Sequence, residues 1–139
     1  MSVEHRVNRA LTALDVRFND LGDGNAALAG AVSEHQQIKV FCEIPAKQLR
    51  DYALTGLDLN CKGIGTCGAM VLAHLLEFSR ALISANLDWN NIGDEGAIAI
   101  SAALESNTTL EDLSLKPHPD GTKITAVGAQ AIAKMLVAN

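Results

Sequence analysis

The segment Gly63-Ile64-Gly65-Thr66-Cys67-Gly68 is the sharpest chemical signal in the sequence. It follows an alternating apolar stretch, precedes a helical pattern, and has Asp88 twenty residues beyond its last glycine. G-x-G-x-x-G in that setting lets backbone N–H groups approach a pyrophosphate at a helix N-terminus, with an acid on the ribose. Cys67 stands at the same helix start, where a thiol pKa falls and a nucleophile can form. His5, His35, His74 and His118 show no metal-ligand spacing, and Cys42 and Cys61 form no C-x-x-C pair with Cys67. Asn107-Thr108-Thr109 is a glycosylation sequon, expected to be silent without secretion.

These glycines must be judged by the elements that carry them. Residues 54–76 and 82–104 share a register at a shift of 28: Leu54 with Leu82, Leu59 with Leu87, Ile64 with Ile92, Gly65 with Gly93, Gly68 with Gly96, Ala69 with Ala97 and Leu76 with Leu104. A third copy begins at Leu110 with Leu113 and Leu115, takes four extra residues within Lys116–Lys123, and resumes at Ile124, Gly128, Ala129, Ile132 and Leu136. A fourth begins at Leu11, with Leu14, Val16, Asn19, Leu21 and Gly22; it loses one residue and continues with Gly24, Leu28, Ala29 and Val32. A shortened unit fills Ile38 to Ala53, where Pro45 opens a brief helix over 46–52. Units therefore start near residues 11, 38, 54, 82 and 110, and one domain over 1–139 is expected.

Each copy changes period midway. Leu57-Asp58-Leu59 alternates as a strand does, whereas Ala69, Leu72, Ala73 and Leu76 follow the spacing of an amphipathic helix. Thr66 and Thr125 are candidate N-caps, and Asp94 with Glu95 suits a helix N-terminus. No such unit can bury its own apolar stripe, so neighbours must stack. The repeat then accounts for the glycines. Gly65 and Gly68 recur as Gly93 and Gly96, Asn91 replaces Gly63, and Asn60, Cys61 and Lys62 set the strand too far from the glycines for a tight phosphate turn. Cys67 reads as a small helix-start residue, and Asn19 and Asn90 as side chains satisfying backbone groups where the strand turns.

These residues resemble the ribonuclease-inhibitor-like class of leucine-rich repeats, with its L-x-x-L-x-L-x-x-N-x-I-G-x-x-G-A-x-x-L-A-x-x-L pattern. They are also similar to the repeat regions of NOD-like receptors and of many protist proteins. The resemblance covers about residues 11–139. Lys62 at the Asn position, Ala85 at a Leu position, Thr125 at a Gly position and the short second unit depart from the pattern. The resemblance implies an α/β leucine-rich repeat solenoid with parallel strands on a concave face and helices on a convex one. It also implies a cytoplasmic, non-catalytic scaffold that recognises another protein through the concave face. Two other function classes stand beside it: a GTPase-activating regulator of the same repeat type, and a nucleotide-binding enzyme using Gly63, Gly65 and Gly68.

With Leu57 and Leu59 pointing inward, strand residues of the other parity form the expected contact surface. The partner-binding set is Asp15, Arg17, Asp58, Asn60, Asn86, Asp88, Asp112, Ser114 and Lys116, with Trp89 just beyond as an anchor. Its carboxylates suit a basic protein partner. Five strands about 4.8 Å apart would make a sheet about 20 Å wide, less than an ordinary interface of ~800 Å² per partner readily uses. Binding must then recruit loops such as 116–123, be weak or use a longer parent array, and the open solenoid ends predict self-association or a fragment of something longer.

Composition narrows the field. Eleven Lys and Arg against 16 Asp and Glu leave a net charge of −5, and no basic cluster suits nucleic acid or a membrane. Three cysteines, an odd number, do not suit a disulfide framework and fit reduced cytoplasmic thiols. Glu4, His5, Arg6 and Arg9 interrupt any signal-peptide pattern, and no cofactor or metal is expected.

Overall fold

The computed structural model describes residues 8–138, so Glu4, His5 and Arg6 of the signal-peptide argument lie outside the described residues. Strand and helix alternate five times: β1 (Ala13–Leu14), α1 (Gly24–Glu34), β2 (Val40–Phe41), α2 (Ala46–Arg50), β3 (Gly56–Asp58), α3 (Gly65–Glu77), β4 (Ser84–Asn86), α4 (Gly93–Leu104), β5 (Asp112–Ser114) and α5 (Ala126–Ala138). All strand pairing between these elements is parallel. Gly56, Ser84 and Asp112 lie side by side, as do Leu57, Ala85 and Leu113, and Asp58, Asn86 and Ser114. The sequence period is therefore the spatial register.

The expected five-stranded sheet is interrupted. β1 pairs with β2, and β3, β4 and β5 form a separate sheet. The short second unit supplies the reason. Cys42 N–H donates to Leu14 C=O across to β1, but Phe41 turns its own groups inward: its N–H donates to Ile44 C=O at 3.0 Å and its C=O accepts from Ile44 N–H at 2.8 Å. Those are the groups that would otherwise bond to β3. Cys42 and Glu43 hold this tight turn with φ of 48° and 71°. α2 then stops at Arg50, short of the expected Tyr52, because Tyr52 is left-handed (φ 56°) and Ala53 N–H reaches back to Gln48 C=O.

A short α2 also lets α1 pack directly on α3, which in turn packs on α4, and α4 on α5. Close helix approach requires glycine at Gly96: a Cβ there would come within 2.9 Å of Ala69 Cβ and also meet Ile92. Between the helices and strands lies one aliphatic core, with Phe41, Ile44, Leu72, Leu76, Leu82, Leu87 and Ile100 fully buried. Each such side chain contributes about 1.5–3 kcal/mol through burial, so aliphatic stacking dominates the fold. No helix among the described residues is long and apolar enough to cross a membrane.

Candidate interaction face

Three strands, β1, β3 and β4, end in the same local device. Asp15, Asp58 and Asn86 occupy one register position, and the side-chain oxygen of each accepts the N–H two residues on: Arg17 at 3.1 Å, Asn60 at 3.0 Å and Asp88 at 3.0 Å. The next residue is left-handed in each case: Phe18 (φ 66°), Cys61 (φ 57°) and Trp89 (φ 62°). Bulky residues are rare there, because Cβ crowds the following carbonyl. Pro117, which follows Lys116 at the corresponding place, cannot adopt positive φ. That unit leaves the strand by another path, through the extra residues before Ile124.

The expected contact residues fall into groups. Asp88, Trp89, Ser114 and Lys116 form one: Asp88 Oδ1 accepts from Ser114 Oγ at 2.5 Å and Lys116 N–H at 2.8 Å. The Ser114 hydroxyl, helped by Lys116, holds the Asp88 carboxyl below its ordinary pKa. Trp89 is 45% exposed and meets the His118 ring edge-on at 5.1 Å. It is thus packed on the next unit's turn and also presented to solvent. Asp15 and Arg17 form a second group. Arg17 Nη2 donates to Asp15 at 2.7 Å and to Glu43 at 3.4 Å, while its Nη1 donates to Lys62 C=O at 2.6 Å. The Arg17 hydrogen bonds lower the Asp15 pKa to about 2. Asp58 and Asn60 are exposed between these groups, Asn86 is half-buried, and Asp112 is exposed on β5.

Two residues outside the expected contact set join these groups. Phe18 is 88% exposed beneath the Arg17 guanidinium, 5.7 Å from the ring centre. Its equivalence to Trp89 was the available signal. Glu43 joins Arg17 only because the short unit brings its turn alongside.

The motif residues serve the stack. Gly65 and Gly93 are both left-handed (φ 62° and 66°), and Asn91 takes φ 55° where Gly63 takes 66°. Thr66 does not cap α3: it lies inside the helix, and its hydroxyl donates to Ile92 C=O of the next unit. Asn90 is buried, its oxygen accepting from Lys62 and Ile64 N–H and its nitrogen donating to Leu59 and Asp88 C=O. Exposed Asn19 donates only to Val16 C=O, having no earlier unit beneath it among the described residues. Asn107 is similarly engaged, donating to Leu76 C=O at 2.7 Å and Ser79 C=O at 3.3 Å. Burial pushes the Cys67 thiol up to about 11, which disfavours the nucleophilic thiolate. Among the described residues, no three His, Cys, Asp or Glu side chains gather as a metal would require.

Parallel strands in repeating register, each followed by a helix on one side, define an α/β repeat protein. Residues 7–24 and 86–101 match the family model described as Leucine Rich repeat. The chain is a leucine-rich repeat protein. It is 30% identical over 113 residues to human NACHT, LRR and PYD domains-containing protein 5, a match spanning 81% of this chain but 9% of that protein. A solved structure, Leiomodin-1 Actin-Binding Site 2, is similar with a TM-score of 0.62 and 25% identity, over 70% of this chain and 56% of that one.

Proposed function

We propose that the chain is a non-catalytic recognition module that holds another protein on its strand ends. The observation that carries this is Trp89: an indole fixed by His118 and by a left-handed backbone, yet left half in solvent. A rigid, part-exposed aromatic gives contact area at little entropic cost. Along the strands, Asp15, Arg17, Asp58, Asn60, Asn86, Asp88, Asp112, Ser114 and Lys116 provide polar contacts. Asp88 and Asp15 are engaged by the Ser114 and Arg17 side chains, so the exposed Asp58 and Asp112 are the carboxylates that steer a basic partner. The ribonuclease-inhibitor-like pattern, the match to a NACHT, LRR and PYD domains-containing protein and the actin-binding neighbour support a protein ligand. Its three free thiols fit a reducing cytoplasmic setting.

The test is affinity capture from native lysate, quantified against Trp89→Ala. Loss of the captured partner by about tenfold or more is expected for a central aromatic anchor. Equal capture by both forms would overturn the reading. Co-sedimentation with filamentous actin supplies a defined partner for a parallel trial.

A further inference from the structure

The repeat leaves two matched apolar flanks. Leu76 is fully buried and Leu136, at its register position in α5, is 67% exposed. Leu82 is fully buried and Leu11, at its register position ahead of β1, is 40% exposed. Beside β5 and α5 lies a groove of about 670 Å³ whose apolar lining includes Leu104, Leu110, Leu113, Leu115, Ile132 and Leu136. β5 and β1 each have a strand neighbour on one edge only among the described residues.

We propose that the β5–α5 flank of one copy receives the β1–α1 flank of a second copy, continuing the stack head to tail. The register names the pairs. Ala85 lies beside Leu113 inside the chain, so Leu113 would lie beside Leu14 of the second copy. Leu115 would take Val16 and Ile132 would take Leu28, partly buried residues at the corresponding positions. Charge agrees with this occupant. Inside the chain, Asp88 meets the Ser114 hydroxyl one unit on. At the junction, the residue in the Asp88 position is Lys116 and the residue in the Ser114 position is Asp15, whose carboxylate is bonded by Arg17 yet stays exposed to a second cation. Such a contact joins two different surfaces, so it propagates into open chains instead of closing as a symmetric dimer. It shares Lys116 and Asp15 with the strand-end surface but does not use Trp89.

Sedimentation velocity of the 139-residue chain across micromolar to millimolar concentration tests this. The weight-average mass should rise without stopping at two copies. Leu136→Glu and Leu11→Glu, both at exposed sites and checked by melting temperature, should each be monomeric. Mixed in equal amounts they should give a one-to-one dimer, because each retains the flank the other has lost. Lys116→Glu should weaken association about fivefold at low salt. A wild-type chain that stays monomeric throughout assigns the groove to another occupant and overturns the proposal. So does a dimer formed by either Glu variant alone, or a mixture that does not pair.

Discussion

Asp94 on α4 caps the helix of the following unit through Thr125: its Oδ1 accepts Thr125 N–H at 2.7 Å and its Oδ2 accepts the Thr125 hydroxyl at 2.6 Å. The same Oδ1 accepts Gly128 N–H at 2.9 Å, so one carboxylate binds two N–H groups at the start of α5. Asp94→Ala should lower the melting temperature by about 2–5 °C, the scale of a lost N-cap in a chain of this size. Hydrogen exchange should quicken first in α5. Unchanged exchange at 126–130 would contradict the capping role.

Buried Asn90 joins two units with three hydrogen bonds, so Asn90→Ala leaves Lys62 and Ile64 N–H and Leu59 C=O without that partner. A loss of about 3 kcal/mol in urea unfolding is expected for buried backbone groups deprived of partners. Asn19→Ala, at the same register position but exposed, should change stability by less than about 0.5 kcal/mol.

Two glycine-to-alanine changes should have opposite signs. At Gly96 the new methyl would meet Ala69 at 2.9 Å, forcing α3 and α4 apart at about 1–3 kcal/mol. At Gly30, inside α1 with nothing within 4 Å, the change should stabilise by about 0.4–1 kcal/mol. Chemical denaturation of both variants decides the matter.

Asp15, Asp88 and Asp94 all have depressed carboxyl pKa values in the fold, Asp15 at about 2 against an ordinary 3.8. The folded state therefore binds fewer protons, and these groups stabilise it fully above their unfolded pKa. That contribution is lost as pH falls through the folded values. Melting temperature should drop between about pH 4 and 2, and Asp15→Asn should flatten part of that slope. A variant curve parallel to wild type would refute the assignment to Asp15.

Thiol reactivity should separate the cysteines. Cys61 is exposed, whereas Cys42 and Cys67 are buried with burial-raised pKa values. Brief iodoacetamide treatment of the native chain at neutral pH should add one label, at Cys61. Early labelling of Cys67 would show that its site opens readily.

Periodicity made the stack legible in the sequence because one small set of contacts is repeated. Leu57 with Leu59, and Ala69 with Leu72 and Leu76, each satisfy the same burial requirement in successive units, and their spacing records it. The amide role of Asn90 was legible for the same reason. Tertiary structure alone decided where Phe41 directs its hydrogen bonds, and hence the break between β2 and β3. It also decided that Asp88 and Asp15 would be engaged by the Ser114 and Arg17 side chains while Asp58 and Asp112 stay exposed. Burial is read from residue type and period. Hydrogen-bond partnership depends on which groups the chain brings within about 3 Å, and no sequence period encodes that distance.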